Sequence, residues 1–291
     1  MATGIPFTRH AARRGTSWLV QSYAMFARHR LAWIVLLLGY YAVLVLVELV
    51  PWIGTLLAPI IKPLLSVAFL AAAWEQERGG TPALRMLSRG FRANVGALLP
   101  LGIVFIAGIS IALAATALID GGALLDLFYG AAPAADDDPA AAARHVQQTL
   151  ATPRVQLAML FGALCALPTL LALWWAPALV VFQDASLVTA LSTSLRAAVA
   201  NWRAALRYGA GLFVMGGVVP TVIMTMLAAF VPPPLNATLA AVIVLPYVAF
   251  FVATLHISDY VSYRDVFHAD ERSGSDSQRP GSDSNHTATA E

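Results

Sequence analysis

Charge is scarce in this chain. Asp, Glu, Lys and Arg make up 12% of the 291 residues, against roughly 25% in soluble proteins. Lysine is nearly missing: Lys62 stands alone beside seventeen arginines. One cysteine, Cys165, lies inside an apolar run, which excludes an internal disulfide and a cysteine metal cluster and leaves it as a small packing residue. The strong catalytic signatures are also missing. There is no His-Glu-x-x-His, Gly-x-Ser-x-Gly, Gly-x-x-x-x-Gly-Lys-Ser/Thr or Cys-x-x-Cys, so the patterns that would announce a zinc peptidase, a serine hydrolase, a phosphate-binding loop or a dithiol centre are absent. We therefore expect no enzyme, no catalytic residues, no cofactor and no metal site. A net charge of +2 is too small to suggest a nucleic-acid partner.

What the chain has in abundance is apolar sequence: 59% hydrophobic residues and a mean hydropathy of +0.71. A helix needs about 20 apolar residues to cross the hydrocarbon of a bilayer. Six runs satisfy this: residues 31–50, 52–74, 95–118, 155–175, 208–231 and 235–256. The first fifteen residues carry Arg9, Arg13 and Arg14 but no apolar core, so no cleavable leader is expected there and the first span directs insertion. The arginines fall on alternate sides. Arg28 and Arg30 precede the first span, Arg78, Arg85, Arg89 and Arg92 separate the second from the third, Arg196, Arg203 and Arg207 separate the fourth from the fifth, and Arg264, Arg272 and Arg279 follow the sixth. Positive residues are retained in the cytoplasm, which predicts a multi-pass protein of the bacterial inner membrane with both termini cytoplasmic.

The segment 174–207 is half span end and half amphipathic helix. Leu187, Leu191, Leu195, Val199 and Trp202 recur at helical spacing, with Thr189, Thr193, Arg196 and Arg203 on the other side, a pattern that suits a helix lying in the headgroups. Two similar pieces precede the first and third spans. In 16–30 the face is Leu19, Tyr23 and Phe26, with Trp18 at the interface; in 81–92 it is Leu84, Leu87 and Phe91. The predicted fold is all-α: a six-helix transmembrane bundle with three amphipathic interfacial helices on the cytoplasmic side. A flexible start (1–15), a membrane domain (16–267) and a disordered, Ser/Asp-rich tail (268–291) complete it. The outer loop 119–154 should hold short helices joined by a linker, whose triple aspartate Asp136–Asp138 reads as solvated charge.

Ionisable groups inside spans are costly and so are the first candidates for function. Glu48 lies near the outer end of the first span, and Lys62, between Ile61 and Pro63, falls near the bilayer middle. Together they form a candidate intramembrane polar site. The competing reading has Lys62 snorkelling to an interface or bonding carbonyls freed beside Pro63. His256, Asp259 and Asp265 follow the sixth span and read as a water-exposed helix end.

The motifs Pro51-Trp52-Ile53-Gly54, Asp120-Gly121-Gly122, Trp175-Ala176-Pro177-Ala178-Leu179 and Asn201-Trp202-Arg203 resemble an uncharacterised bacterial family of six-helix inner-membrane proteins. More distantly they resemble the helical membrane domain joined to some glycerophosphodiester phosphodiesterases. The resemblance covers residues 17–267 and implies the fold without implying an activity; Lys62 and the Ser/Asp-rich tail depart from it. The expected role is non-enzymatic, organising the membrane or scaffolding a partner, with the lipid bilayer as the one certain partner. A protein partner or a homo-oligomer is not specified by the sequence. Trp202, Arg203 and Arg207 are the expected lipid or partner contacts. The alternative is a small transporter or permease subunit using a polar site near Lys62.

Overall fold

The structure, a computed structural model, describes residues 5–51, 53–130 and 139–268. Its elements are α1 (Arg13–Arg28), α2 (Arg30–Glu48), α3 (Gly54–Glu77), two 3-10 turns (Leu84–Ser88 and Gly90–Arg92), α4 (Val95–Asp120), α5 (Ala123–Tyr129), α6 (Pro139–Ala151), α7 (Pro153–Trp174), α8 (Ala176–Gln183), α9 (Leu187–Ala200), α10 (Trp202–Phe213), a π-helical turn (Val214–Val218), α11 (Val219–Phe230) and α12 (Pro233–Phe267). No strand occurs among the described residues. Among the described residues, six stretches are long and apolar enough to cross a membrane. The chain is an all-α, multi-pass membrane bundle.

The bundle is not packed evenly. Half of the apolar window of α3 is buried within the protein, against 6% of the window in Trp202–Phe230. α3 is therefore the central helix, and α11 leans out where lipid must cover it. The buried core gathers Trp18, Trp33, Leu36, Leu65, Phe69, Trp175, Leu179 and Ile257, close to the helix ends that carry the arginines. This is the basic end of the molecule.

Several local outcomes differ from the sequence reading, each for a physical reason. α12 does not stop near His256 but runs unbroken to Phe267, because Ile257, Val261 and Val266 continue an apolar face that packs into the core. The fifth stretch starts at Trp202 and is interrupted by the π turn. A carbonyl in a π turn looks for a donor five residues on, and for Met215 that residue is Pro220, which has no N–H. The Tyr247 hydroxyl donates to the Met215 carbonyl instead, at 2.5 Å. The segment 81–92 forms 3-10 turns rather than an amphipathic helix; Leu84 and Leu87 lie over Gly39 of α2.

α9 is turned relative to the expected stripe. Its buried residues are Ala190, Thr193, Ser194, Ala197 and Ala198, while Val188 and Val199 point outward. In lipid no hydrophobic force draws large side chains inward, so small residues that allow close approach take the interface. Ser194 Oγ illustrates the gain: it donates to the Leu171 carbonyl at 2.8 Å and accepts from the Trp175 N–H at 3.0 Å. Trp18 is also not at a membrane interface but fully buried, edge-on to Trp174, Trp175 and Tyr208.

At the opposite end, Asp120 closes α4. Its carboxylate accepts from the Gly122 N–H at 2.9 Å and the Leu124 N–H at 3.0 Å, across Gly121 and Gly122 at φ of 72° and 100°. Only glycine enters two successive left-handed positions without strain, which explains the Asp-Gly-Gly triplet. Trp52, the triple aspartate and the tail from residue 269 lie outside the described residues.

Candidate functional site

The basic end is organised around a carboxylate from the end of the last helix. Asp265, with a side chain 4% exposed, accepts from Arg14 Nε at 2.6 Å and also from Arg14 Nη2, while Trp18 Nε1–H donates to it at 2.8 Å. The hydrogen bond to Asp265 raises the Arg14 pKa further above its ordinary value, so that cation is permanent. His10 reaches the Asp265 carbonyl at 3.0 Å, and the Thr8 N–H donates to the Val266 carbonyl at 2.8 Å. Asn201, between α9 and α10, accepts from the His10 N–H at 2.7 Å and donates to the carbonyls of Thr8 and Ala197, both at 3.0 Å. Residues 5–12, within the segment 1–15, are thus laced across the ends of α9, α10 and α12.

A second buried amide joins α1, α2 and α3. Trp33 Nε1–H donates to Gln76 Oε1 and Gln76 Nε2–H donates to the Met25 carbonyl, each at 2.8 Å. The Met25 carbonyl needs this partner because the His29 N–H, its helical donor, has turned to Phe26 at the break between α1 and α2.

Two basic concavities open beside this framework. One lies between α1 and α10 and is lined by Arg13, Thr16, Ser17, Val20, Gln21 and Arg207, with a volume of about 380 Å³. The two helices run side by side in the same direction: Gly15 meets Ala204 and Tyr208, and Leu19 meets Gly211. Their N-termini therefore converge. Neither has an acidic residue of its own in the first turn, but Asp265 reaches the start of α1 through Arg14 and the C-terminal end of α9 abuts the start of α10 at Asn201, so the positive charge of the groove is carried by Arg13 and Arg207. Arg207 Nε–H donates to Thr16 Oγ1 at 3.0 Å across the groove. The other cavity, about 520 Å³, has walls of Trp74, Phe182, Tyr260 and Tyr263 together with Glu77, Arg78, Arg264 and His268. Arg264 pairs with Glu77, the Tyr260 hydroxyl donates to Glu77 at 2.7 Å, and Arg78 lies 3.9 Å over the Trp74 ring. A cleft of about 30 Å³ deeper in the bundle touches Ser66, Trp174, His256 and Asp259, while the His256 ring stacks on Phe69 at 4.1 Å.

The residues singled out from the sequence fall in two places. Glu48 and Lys62 are both exposed, and they form no ion pair. The α2–α3 turn brings Glu48 against Gly54, where a Cβ would lie 2.8 Å from the Glu48 Cα; Lys62 lies eight residues further along α3, about 12 Å of helical rise away, so the two are not brought together. The carbonyls of Pro59 and Ile60 are covered by α4 instead: a Cβ at Gly102 would lie 2.8 Å and 2.6 Å from them. Trp202, Arg203 and Arg207 are exposed at the start of α10, with Arg203 5.2 Å over the Trp202 ring, and Arg207 is the one that enters the groove. Asp265, expected with His256 and Asp259 at a water-exposed helix end, is instead buried, because α12 continues into the core; sequence reasoning also missed the bonding roles of Asn201 and Gln76 and the burial of Trp18. The four-residue spacing of Ile257, Val261 and Asp265 carried the signal that α12 continues.

Comparison with known proteins gives one informative likeness. The chain is 29% identical over 265 residues to a probable inner membrane protein of Burkholderia thailandensis, covering 90% of this chain and 93% of that one. No family model matches, and no solved structure matches.

Proposed function

We propose that this is a non-enzymatic inner-membrane protein, oriented with both termini in the cytoplasm, that organises the membrane or scaffolds a partner through its basic end. The observation that carries the reading is the convergence of the α1 and α10 N-termini beside Arg13 and Arg207, on a framework fixed from within by Asp265 and Asn201. Such a surface meets anionic headgroups or an acidic partner rather than a substrate undergoing reaction. The outward position of Lys62 on α3 supports it further, because a residue on a transport path faces the bundle interior. Residence in the inner membrane agrees with the name of the Burkholderia relative. The test is to reconstitute purified protein in vesicles and assay ion and small-solute flux. Vesicles as tight as protein-free ones support the scaffold reading, and solute-dependent flux refutes it.

A second reading, a small transporter, is favoured by one observation. The π turn at Val214–Val218 and the break at Trp175 give discontinuous membrane helices, which transporters use at their binding sites. The same vesicle assay decides between the two.

A further inference from the structure

We infer that the α1–α10 groove is a binding site for the phosphate of an anionic membrane phospholipid, with Arg13 and Arg207 as the charged ligands and the Thr16 hydroxyl as a donor. The inference deepens the headgroup-contact reading above and rests on it.

Four features converge on this ligand. First, the cations are available: Arg14 is taken up by Asp265, whereas Arg13 and Arg207 are exposed and face the same concavity. Second, that carboxylate is absent from the groove lining, buried, and compensated by Arg14, so it does not repel an incoming anion. Third, the helix geometry aligns the donors. Arg13 and Thr16 lie three residues apart on one face of α1, and the contact between Arg207 and Thr16 orients the guanidinium across the groove. Planar guanidinium and hydroxyl donors match phosphate oxygens. Fourth, the groove adjoins the bilayer. α10 opens the membrane-crossing stretch Trp202–Phe230, and Val20 in the lining is 61% exposed, which suits the glycerol and acyl region of a lipid whose phosphate sits between the arginines. A free phosphate would have no use for that apolar neighbour, so the lipid is the occupant.

The experiment uses full-length protein in nanodiscs that mix phosphatidylglycerol with phosphatidylcholine, reading the lipids retained after mild detergent release by native mass spectrometry. Wild type is expected to retain phosphatidylglycerol preferentially, and Arg13→Ala/Arg207→Ala to lose that preference by about thirtyfold, as two surface arginines lost from an anionic membrane imply. Arg207→Lys, which keeps charge without the bidentate fork, should retain part of it. The melting temperature of each variant in phosphatidylcholine alone, unchanged from wild type, separates lost binding from lost folding. An undiminished preference in the double variant overturns the groove assignment while leaving headgroup contact standing elsewhere on the basic end. Equal retention of the two lipids by wild type overturns both. Displacement of the retained lipid by millimolar glycerol phosphate would identify the site as one for free phosphate esters and overturn the lipid assignment.

Discussion

Asp265 receives donors from α1 by two routes, a guanidinium and an indole, while being cut off from water. Its partners are not equivalent. Arg14→Ala strands a buried carboxylate with the Trp18 N–H and the neighbouring His10, and is expected to cost about 3 kcal/mol. Asp265→Asn keeps an oxygen for Trp18 and leaves Arg14, whose side chain is 39% exposed, able to reach solvent; it should cost nearer 1 kcal/mol. Denaturation of both variants in detergent micelles checks the order, and equal losses would show that the charge of Asp265 is unimportant. Lys62 gives the opposite expectation. On the outer flank of α3 its replacement by Leu should leave the melting midpoint unchanged or raised, a change within about 0.5 kcal/mol, and growth of cells carrying the variant should match the parent. A large loss of stability would place its amine in a buried polar contact.

At the scale of elements, the junction of α1 with α10 depends on one position. A Cβ on Gly15 would lie 2.1 Å from the Ala204 carbonyl oxygen and 2.8 Å from the Tyr208 nitrogen. Both are backbone atoms, so the helices themselves would have to part. Gly15→Leu should cost about 3 kcal/mol, the upper range for overpacking, and expose α1 to protease. Gly209, with open space at its Cβ, is the control: Gly209→Ala should be neutral or stabilising by about 0.5 kcal/mol. The spans themselves were legible in the sequence to within a few residues at most ends, because length and apolarity decide what can cross a bilayer. Orientation of each helix about its axis was not. Hydrophobic periodicity marks the apolar stripe without saying which face packs on the bundle: α9 buries Ala190 and Ala197 and leaves Val199 exposed. The basic end was legible as a cluster of Arg203, Arg207 and Trp202. Its partners on α1 were not, since Arg13 and Arg207 are joined only by tertiary packing.

Taken whole, the molecule is a dense basic end from which the sparsely packed α11 and the first half of α12 extend. The arginine distribution predicts one orientation, with both termini in the cytoplasm. A fluorescent protein fused after Glu291 should fluoresce in the cytoplasm, and alkaline phosphatase inserted in the 232–234 turn should be active outside it. Reversed signals would invert the topology and put the groove in the wrong leaflet for cytoplasmic headgroups. A similar layout is expected of the Burkholderia relative, which matches over nearly its full length.

The bond between the first helix and the end of the last one also imposes an order in time. Arg14 and Trp18 leave the ribosome early, and Asp265 about 250 residues later, an interval of roughly 12 to 50 s at ordinary rates of synthesis. Throughout that interval Arg14 and Trp18 lack the carboxylate that ties them to the last helix, while all six membrane-crossing stretches are made. The bond to Asp265 therefore closes after the partners of α1 on α3 and α10 have been made. A product truncated before Asp265 leaves Arg14 and Trp18 without that carboxylate.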